Sequence, residues 1–351
     1  MKKILILTDK RGYLASSRVP GKLKADPAVL KEKLIGNGYE VEIKSIHDIS
    51  FPSKYIGWYV VYPSSEDPGL FYKNYIEDIL LGLQKDGAVL LPWFELFRAH
   101  HNKLFMEILR KYLGEEFNTI ESVGFYDVDD FLSKEHLIKN YPIVIKASQG
   151  TASSGVFIAH DRKEALALIR KKSGITYFSA IYTPYIKLKK NIKKQLSNMG
   201  FIKKELYKLP AREKLIAQNF ISDLKCDYKV LVFGERFFVL RRKTRDNDFR
   251  ASGSGKFEFP VEIDRELESV LNYARLLFSR LRTPMLSADI AYDGNTCHLM
   301  EFQCVNFGAY TLEFSDHYYV LDESGWKAVT STDNTIEHEM AHAISCFIMK
   351  R

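Results

Sequence analysis

The first 92 residues alternate between two periodicities, and nothing else in the chain constrains the fold as strongly. Residues 2–8, Tyr39–Ile46, Tyr55–Pro63 and Ala88–Pro92 are short apolar runs of strand length. Between them, residues 27–37 and Leu70–Gln84 read as helices, the first ending near Gly36 or Gly38. This β-α-β-α-β rhythm predicts a small parallel sheet wound by helices. Ligands of such sheets collect at the carboxyl ends of the strands, here the loops Asp9–Leu23 and Tyr62–Asp67. The first loop and its flank are basic, with Lys10, Arg11, Arg18, Lys22 and Lys24. They read either as a solvated face or as a holder for an anionic acyl or acceptor group.

A chain of 351 residues predicts two or three packed units. No run of 18 apolar residues occurs, so no transmembrane helix is predicted. Ile4–Leu7 is too short an apolar run for a signal peptide and reads as the first strand. Cys226, Cys297, Cys304 and Cys346 lack C-x-x-C spacing and read as free thiols of a cytoplasmic protein. A net charge of +7 suits phosphates and other anions, and no motif points to nucleic acid.

Farther on, residues 99–113 read as a helix, and residues 118–173 as β-α-β-β-α with helices over 129–140 and 162–172. Residues 215–351 predict a larger sheet, a helix over 264–281 and a last helix over 335–349. The expected domains are 1–97 (α/β), 98–173 (linker helix and lid), 174–214 (a basic insertion) and 215–351. The insertion has ten Lys or Arg from Lys187 to Lys214, against two glutamates. It is either a solvated surface or a dock for an anionic partner.

Two segments carry chemistry. In Ser287–Gly308, Asp289 ends one apolar strand, and Glu301 and Gln303 lie on a second strand behind the turn Tyr292–Asn295. Residues i and i+2 of a strand share a face, so Glu301 and Gln303 present a carboxylate and an amide side by side, and a hairpin brings Asp289 opposite. Hard oxygens gathered this way suit Mg²⁺; the plain alternative is a solvated acidic hairpin. The other segment is a strand ending at Lys146–Ser148, a loop of small residues from Gln149 to Gly155, and a new strand Val156–Ala159. Backbone N–H groups of such a loop can approach phosphate oxygens, with the lysine adding charge. It is not a Walker A loop, and hairpin turns of this composition are common.

In this order the motifs resemble the ATP-grasp superfamily over residues 98–310, the glutathione synthetase, D-Ala-D-Ala ligase and ribosomal-protein glutamate ligase types among them. His101-Asn102-Lys103, Ile143–Lys146 with Gly150–Gly155, Leu215–Ile221, Asp227–Gly234, Arg241-Arg242 with Asp248–Arg250, and Asp289 with Glu301 carry the resemblance. It implies an α/β fold, α+β in the C-terminal part: an N-terminal parallel α/β domain, a small α+β lid, and a larger mainly antiparallel C-terminal sheet with helices. It further implies ATP between the lid and the larger sheet. Lys103 and Lys146 would meet the phosphates under a loop containing Ser148, Gly150, Ser153 and Ser154. Gln218 and Phe220 would frame adenine, and Asp223 or Asp227 the ribose. Lys229 and Arg241 are further ATP contacts, and Arg242 and Arg250 the catalytic arginines. Asp289, Glu301 and Gln303 would hold Mg²⁺, or Mn²⁺ in its place. Two positions depart from the family: Gln218-Asn219 stands where the hinge usually carries an acid, and Glu301-Phe302-Gln303 replaces E-x-N.

The activity implied is ATP-dependent joining of a carboxylate to an amine or thiol, with small-molecule or carrier- or glycan-linked substrates. A kinase acting on a hydroxyl, and a nucleotide-binding module without turnover, are the alternatives. His338-Glu339-Met340-Ala341-His342 also matches the H-E-x-x-H zinc pattern. The metzincin extension fails, because Ser345 and Ile348 stand where Gly and His belong. The segment reads as an amphipathic terminal helix.

Overall fold

The computed structural model describes residues 1–16, 23–64, 70–138, 140–149, 155–173, 214–222, 224–245, 254–331 and 333–351. Gly150, Ser153, Ser154, Asp223, Arg250 and the insertion up to residue 213 lie outside the described residues. The chain divides into two units, residues 1–119 with 221–351, and residues 120–220.

The first unit begins with β1 (Lys3–Thr8), β2 (Ala15–Ser16), β3 (Leu23–Ala25), α1 (Pro27–Gly36), β4 (Glu40–Ser45), β5 (Tyr59–Val61), α2 (Phe71–Lys85), β6 (Val89–Leu91), α3 (Phe94–His101) and α4 (Lys103–Arg110). Strands β4-β1-β5-β6 form the expected parallel sheet. Both faces of β1 are covered: Ile4 and Ile6 pack with Leu30 and Leu34 of α1, and Leu5 and Leu7 with Ile76 and Leu80 of α2. That double burial is why the strand is apolar without a break from Ile4 to Leu7. Asp26 starts α1 by accepting from the Ala28 N–H, with Pro27 in the first turn. The single helix predicted over 99–113 is two helices, α3 and α4. Asn102 leaves the helical conformation at φ −133°, ψ 85°, and its side chain accepts from the Phe105 N–H at 3.2 Å. An asparagine favours such a cap over a helix interior.

The second unit contains β7 (Ser122–Phe125), α5 (Val128–Lys134), β8 (Ile143–Ala147), β9 (Val156–Ala159), α6 (Arg162–Ser173) and β10 (Leu215–Asn219). Its antiparallel sheet runs β7-β10-β8-β9. Strand β10, expected to open the C-terminal sheet, lies inside this one, because its apolar residues Leu215 and Ala217 complete the core beneath α5 and α6.

The chain then returns to the first unit with β11 (Cys226–Phe233), β12 (Arg236–Lys243), β13 (Phe257–Glu258), α7 (Arg265–Leu281), β14 (Met285–Tyr292), β15 (Cys297–Gln303), α8 (Tyr310–Phe314), β16 (His317–Asp322), β17 (Gly325–Thr330) and α9 (Ile336–Met349). The antiparallel sheet runs β15-β14-β11-β12-β16-β17, with β13 paired to β12. Cys226, Tyr228, Val230 and Val232 of β11 face α7, which offers Leu267, Val270, Leu271 and Ala274. On the opposite face, Leu231, Phe233 and Phe238 pack with Met340 and Ile344 of α9. Asn37 and Ser345 bond at 3.0 Å, and the Asp26 N–H donates to Glu337 at 2.6 Å, tying α9 to the α1 region. Among the described residues, no helix is long and apolar enough to cross a membrane.

Candidate active site

The α9-facing side of the large sheet changes character along its length. Past Leu231 and Phe238, the same alternation brings up Lys229 and Asp227 on β11 and Arg242 on β12. Register completes the group. Asp227 is opposite Arg242, Lys229 opposite Asp289, and Asp289 opposite Glu301. Directly opposed residues share a face, so all five point the same way, and Gln303 joins them two residues after Glu301.

These side chains form two ionic groups side by side. Arg242 grips Asp227 with two bonds, of 2.7 and 2.8 Å, and reaches Asp289 at 3.1 Å. Lys229 holds the other Asp289 oxygen at 3.1 Å. Beside them, Lys103 Nζ and Gln303 Nε2 each meet Glu301 Oε1 at 3.3 Å. Arg242 is only 7% exposed, which makes its two carboxylate partners obligatory in this state. Burial works to raise the Asp289 carboxyl, but the Arg242 and Lys229 charges overcome it and hold the group below the usual carboxylate range. Asp227 goes the other way: burial raises it, and the nearby Asp289 charge adds to the rise, against the pull of Arg242. The shared guanidinium itself is held more firmly protonated than an ordinary arginine, the two carboxylates outweighing its burial.

Lys103 is aimed by its helix. Asn102 caps α4, placing Lys103 in the first turn. At the other end Arg110, 2% exposed, bonds Glu107 at 2.5 Å and donates to the Leu299 carbonyl at 3.3 Å. That carbonyl belongs to edge strand β15, two residues before Glu301, so α4 is fixed along the strand that carries the acid.

In the second unit, Lys146 is opposite Ile216, and Val144 opposite Gln218. Lys146 and Gln218 therefore share a face, the one turned away from the unit's own helices. Gln218 is 2% exposed, and Phe220 follows β10 half-buried. The β8–β9 hairpin is closed at its base by the Ala147 N–H donating to Gly155 O at 2.9 Å, and the Ser148 N–H donates to Lys214 O at 2.8 Å.

Two of the expected ATP contacts are placed apart from the rest or already paired. Arg241, taken as an ATP contact, points to the other face of β12. Its Nε donates to Cys226 Sγ at 3.4 Å, it lies 5.8 Å over the Tyr228 ring, and Glu266 sits 3.8 Å away. Adjacent strand residues alternate, so only Arg242 reaches the ionic face. Asp227, one of two ribose candidates, is occupied in orienting Arg242. Sequence reasoning also missed Phe257, which the two-residue strand β13 sets directly opposite Arg242.

The H-E-x-x-H segment lies on α9. Glu339 is fully buried and bonded to Arg236 at 2.6 Å, while His338 lies 3.6 Å from Asp333. Among the described residues, no group of three or more His, Cys, Asp or Glu side chains is arranged to hold a metal ion.

No protein-family model matches this sequence, and no curated protein matches it. Solved structures do. A RiPP-associated ATP-grasp ligase from Chryseobacterium gregarium, in complex with ADP and a leader and core peptide, aligns over 100% of this chain and 98% of its own, at TM-score 0.54 and 12% identity. N5-carboxyaminoimidazole synthetase from Staphylococcus aureus, complexed with ADP, aligns over 99% and 77%, at TM-score 0.53 and 11% identity. The D-cycloserine synthetase DcsG aligns over 98% of both chains, at TM-score 0.52 and 12% identity. The chain has the ATP-grasp fold. By its chemistry alone, the donor set on the ionic face of this ATP-grasp fold could take a divalent metal. Asp289 and Glu301 supply hard carboxylates and Gln303 an amide oxygen, while Lys103, Lys229 and Arg242 supply positive charge for phosphate.

Proposed function

We propose that this protein is an ATP-dependent ligase that activates a carboxylate as an acyl phosphate and joins it to an amine or thiol, releasing ADP and phosphate. The observation that carries this reading is the cluster of Asp227, Lys229, Arg242 and Asp289 on one sheet face, with Arg242 held between the two aspartates and the Lys103–Glu301 pair beside it. An arginine fixed bidentately by one carboxylate is preorganised, and preorganised charge is what phosphoryl and acyl transfer need.

Lys103, Lys229 and Arg242 each pair with a carboxylate. Mg²⁺ or Mn²⁺ bound by Asp289, Glu301 and Gln303 would neutralise phosphate charge. Lys103, Lys229 and Arg242 would supply positive charge to phosphate oxygens. For the second unit, the assignment of Lys146, Gln218 and Phe220 to ATP rests on the resemblance of the sequence alone. The substrate carboxylate oxygen attacks the γ-phosphorus as the bond to ADP breaks. The amine nitrogen then attacks the acyl carbon, phosphate leaves, and the amine proton passes to solvent. Arg242 steadies the charge that develops on the transferring group and then on the acyl oxygen. Asp227 keeps the guanidinium in place throughout.

The test is a screen of carboxylates paired with amines and thiols, with ATP and Mg²⁺, reading ADP, phosphate and product mass together. Ligation predicts all three, with a condensed product. A phosphorylated product without condensation identifies a kinase. Nucleotide binding with no ADP from any pair identifies a binding module.

A further inference from the structure

Strand β13 places Phe257 opposite Arg242, and directly paired residues of antiparallel strands have their Cβ atoms about 5 Å apart. The Phe257 ring therefore starts where the ionic face ends. It continues outward. Phe257 meets Tyr310 with ring centroids 5.2 Å apart, and Tyr310 stacks on Phe314 at 4.4 Å. Tyr310 and Phe314 are one turn apart on α8, only seven residues beyond Gln303. Thr311 and Leu312, both fully buried, anchor that helix in the core, so the outward direction of the two rings is fixed. Yet Tyr310 is 42% and Phe314 61% exposed. Scattered surface aromatics need no explanation, but three contiguous rings running from a buried arginine into solvent make an apolar track with a charged inner end.

Resting on the ligase reading above, we infer that Phe257, Tyr310 and Phe314 form a rail that selects carboxylate substrates bearing an aromatic or large aliphatic group. The carboxylate lies toward Arg242 and the apolar group lies along the rings. Charge at one end and stacked rings beyond it match that amphipathic class. A small acid such as acetate would leave the rings uncovered.

The experiment uses the full-length protein with a non-hydrolysable ATP analogue and Mg²⁺. Calorimetry compares N-acetylphenylalanine with N-acetylalanine, on the wild type and on Phe314→Ser and Phe314→Tyr. A residue 61% exposed can be replaced without opening the core. The rail predicts tighter binding of the phenylalanine derivative, a loss on the order of tenfold of that preference in Phe314→Ser, and its recovery in Phe314→Tyr. Affinity for the ATP analogue stays constant across the three proteins. Equal binding of the two probes in the wild type, including none by either, overturns the rail, as does a serine variant that keeps the preference. If the preference and its loss are found but no carboxylate yields ADP and a condensed product, the rail stands and the ligase reading fails.

Discussion

Replacing Arg242 with methionine tests the ionic network where it is most tightly built. The guanidinium is 7% exposed and serves two carboxylates, so its removal leaves Asp227 without its bidentate partner and Asp289 with Lys229 alone. Breaking a buried ion pair costs about 3–5 kcal/mol. The Asp227 and Asp289 side chains retain 17% and 22% exposure, which lets water take up part of the loss. We expect a destabilisation of about 2–3 kcal/mol at pH 7. The sign with pH follows from the carboxyls. In the wild type Asp289 is held below its unfolded value of about 3.9. Its contribution is therefore present above that pH and lost as the pH falls through the lower folded value. Without Arg242, Asp227, already raised by burial, rises further, and Asp289 is left with Lys229 alone against its burial and rises as well. Asp227 then costs more stability at neutral pH and Asp289 contributes less, and acid narrows both differences. Urea unfolding followed by circular dichroism at pH 7 and pH 3.5 should show a gap between the two proteins that is wide at pH 7 and narrower at pH 3.5. No loss at pH 7, or a gap independent of pH, refutes the network as described.

Lys103→Ala should weaken binding of an ATP analogue with Mg²⁺ by roughly tenfold, the scale of one charge-assisted contact, while changing the urea midpoint only modestly, because the Lys103 and Glu301 side chains keep 16% and 30% exposure and water can take up part of the loss. An unchanged affinity by calorimetry removes Lys103 from the site. His338→Ala and His342→Ala should leave ATP turnover and metal content unchanged; a stoichiometric zinc found in the wild type by elemental analysis and lost in either variant contradicts this.

The N-terminal sheet was legible because strand burial and helical spacing alternate cleanly over residues 2–92, and buried parallel strands leave an unmistakable apolar run. The ionic face was legible in part. Asp289, Glu301 and Gln303 follow from period-2 reasoning and a recognisable turn, and the structure sets Asp289 opposite Glu301. Which of Arg241 and Arg242 faces the site was not, because alternation says they differ but only the register with Asp227 says which is which. The break at Asn102 was hidden by apolar spacing that continues across it from Phe97 to Met106. Strand β13 and helix α8 span two and five residues, too short for any periodicity to register, and the rail of Phe257, Tyr310 and Phe314 was invisible for that reason. The β16–β17 hairpin was missed because its outer residues are mostly exposed and polar, so the apolar alternation that marks a strand is weak.

The central claim is that the face bearing Asp289 and Glu301 binds ATP through a divalent metal. Its most direct test is calorimetric titration of a non-hydrolysable ATP analogue into the wild type and the Asp289→Asn, Glu301→Gln double variant, each with Mg²⁺ and with EDTA, after circular dichroism has confirmed that both are folded. Two charged metal ligands are removed, so Mg²⁺ should strengthen binding to the wild type by about a hundredfold and leave the variant near its EDTA value. Equal affinities for the two proteins in Mg²⁺, or wild-type binding indifferent to the metal, would contradict the account.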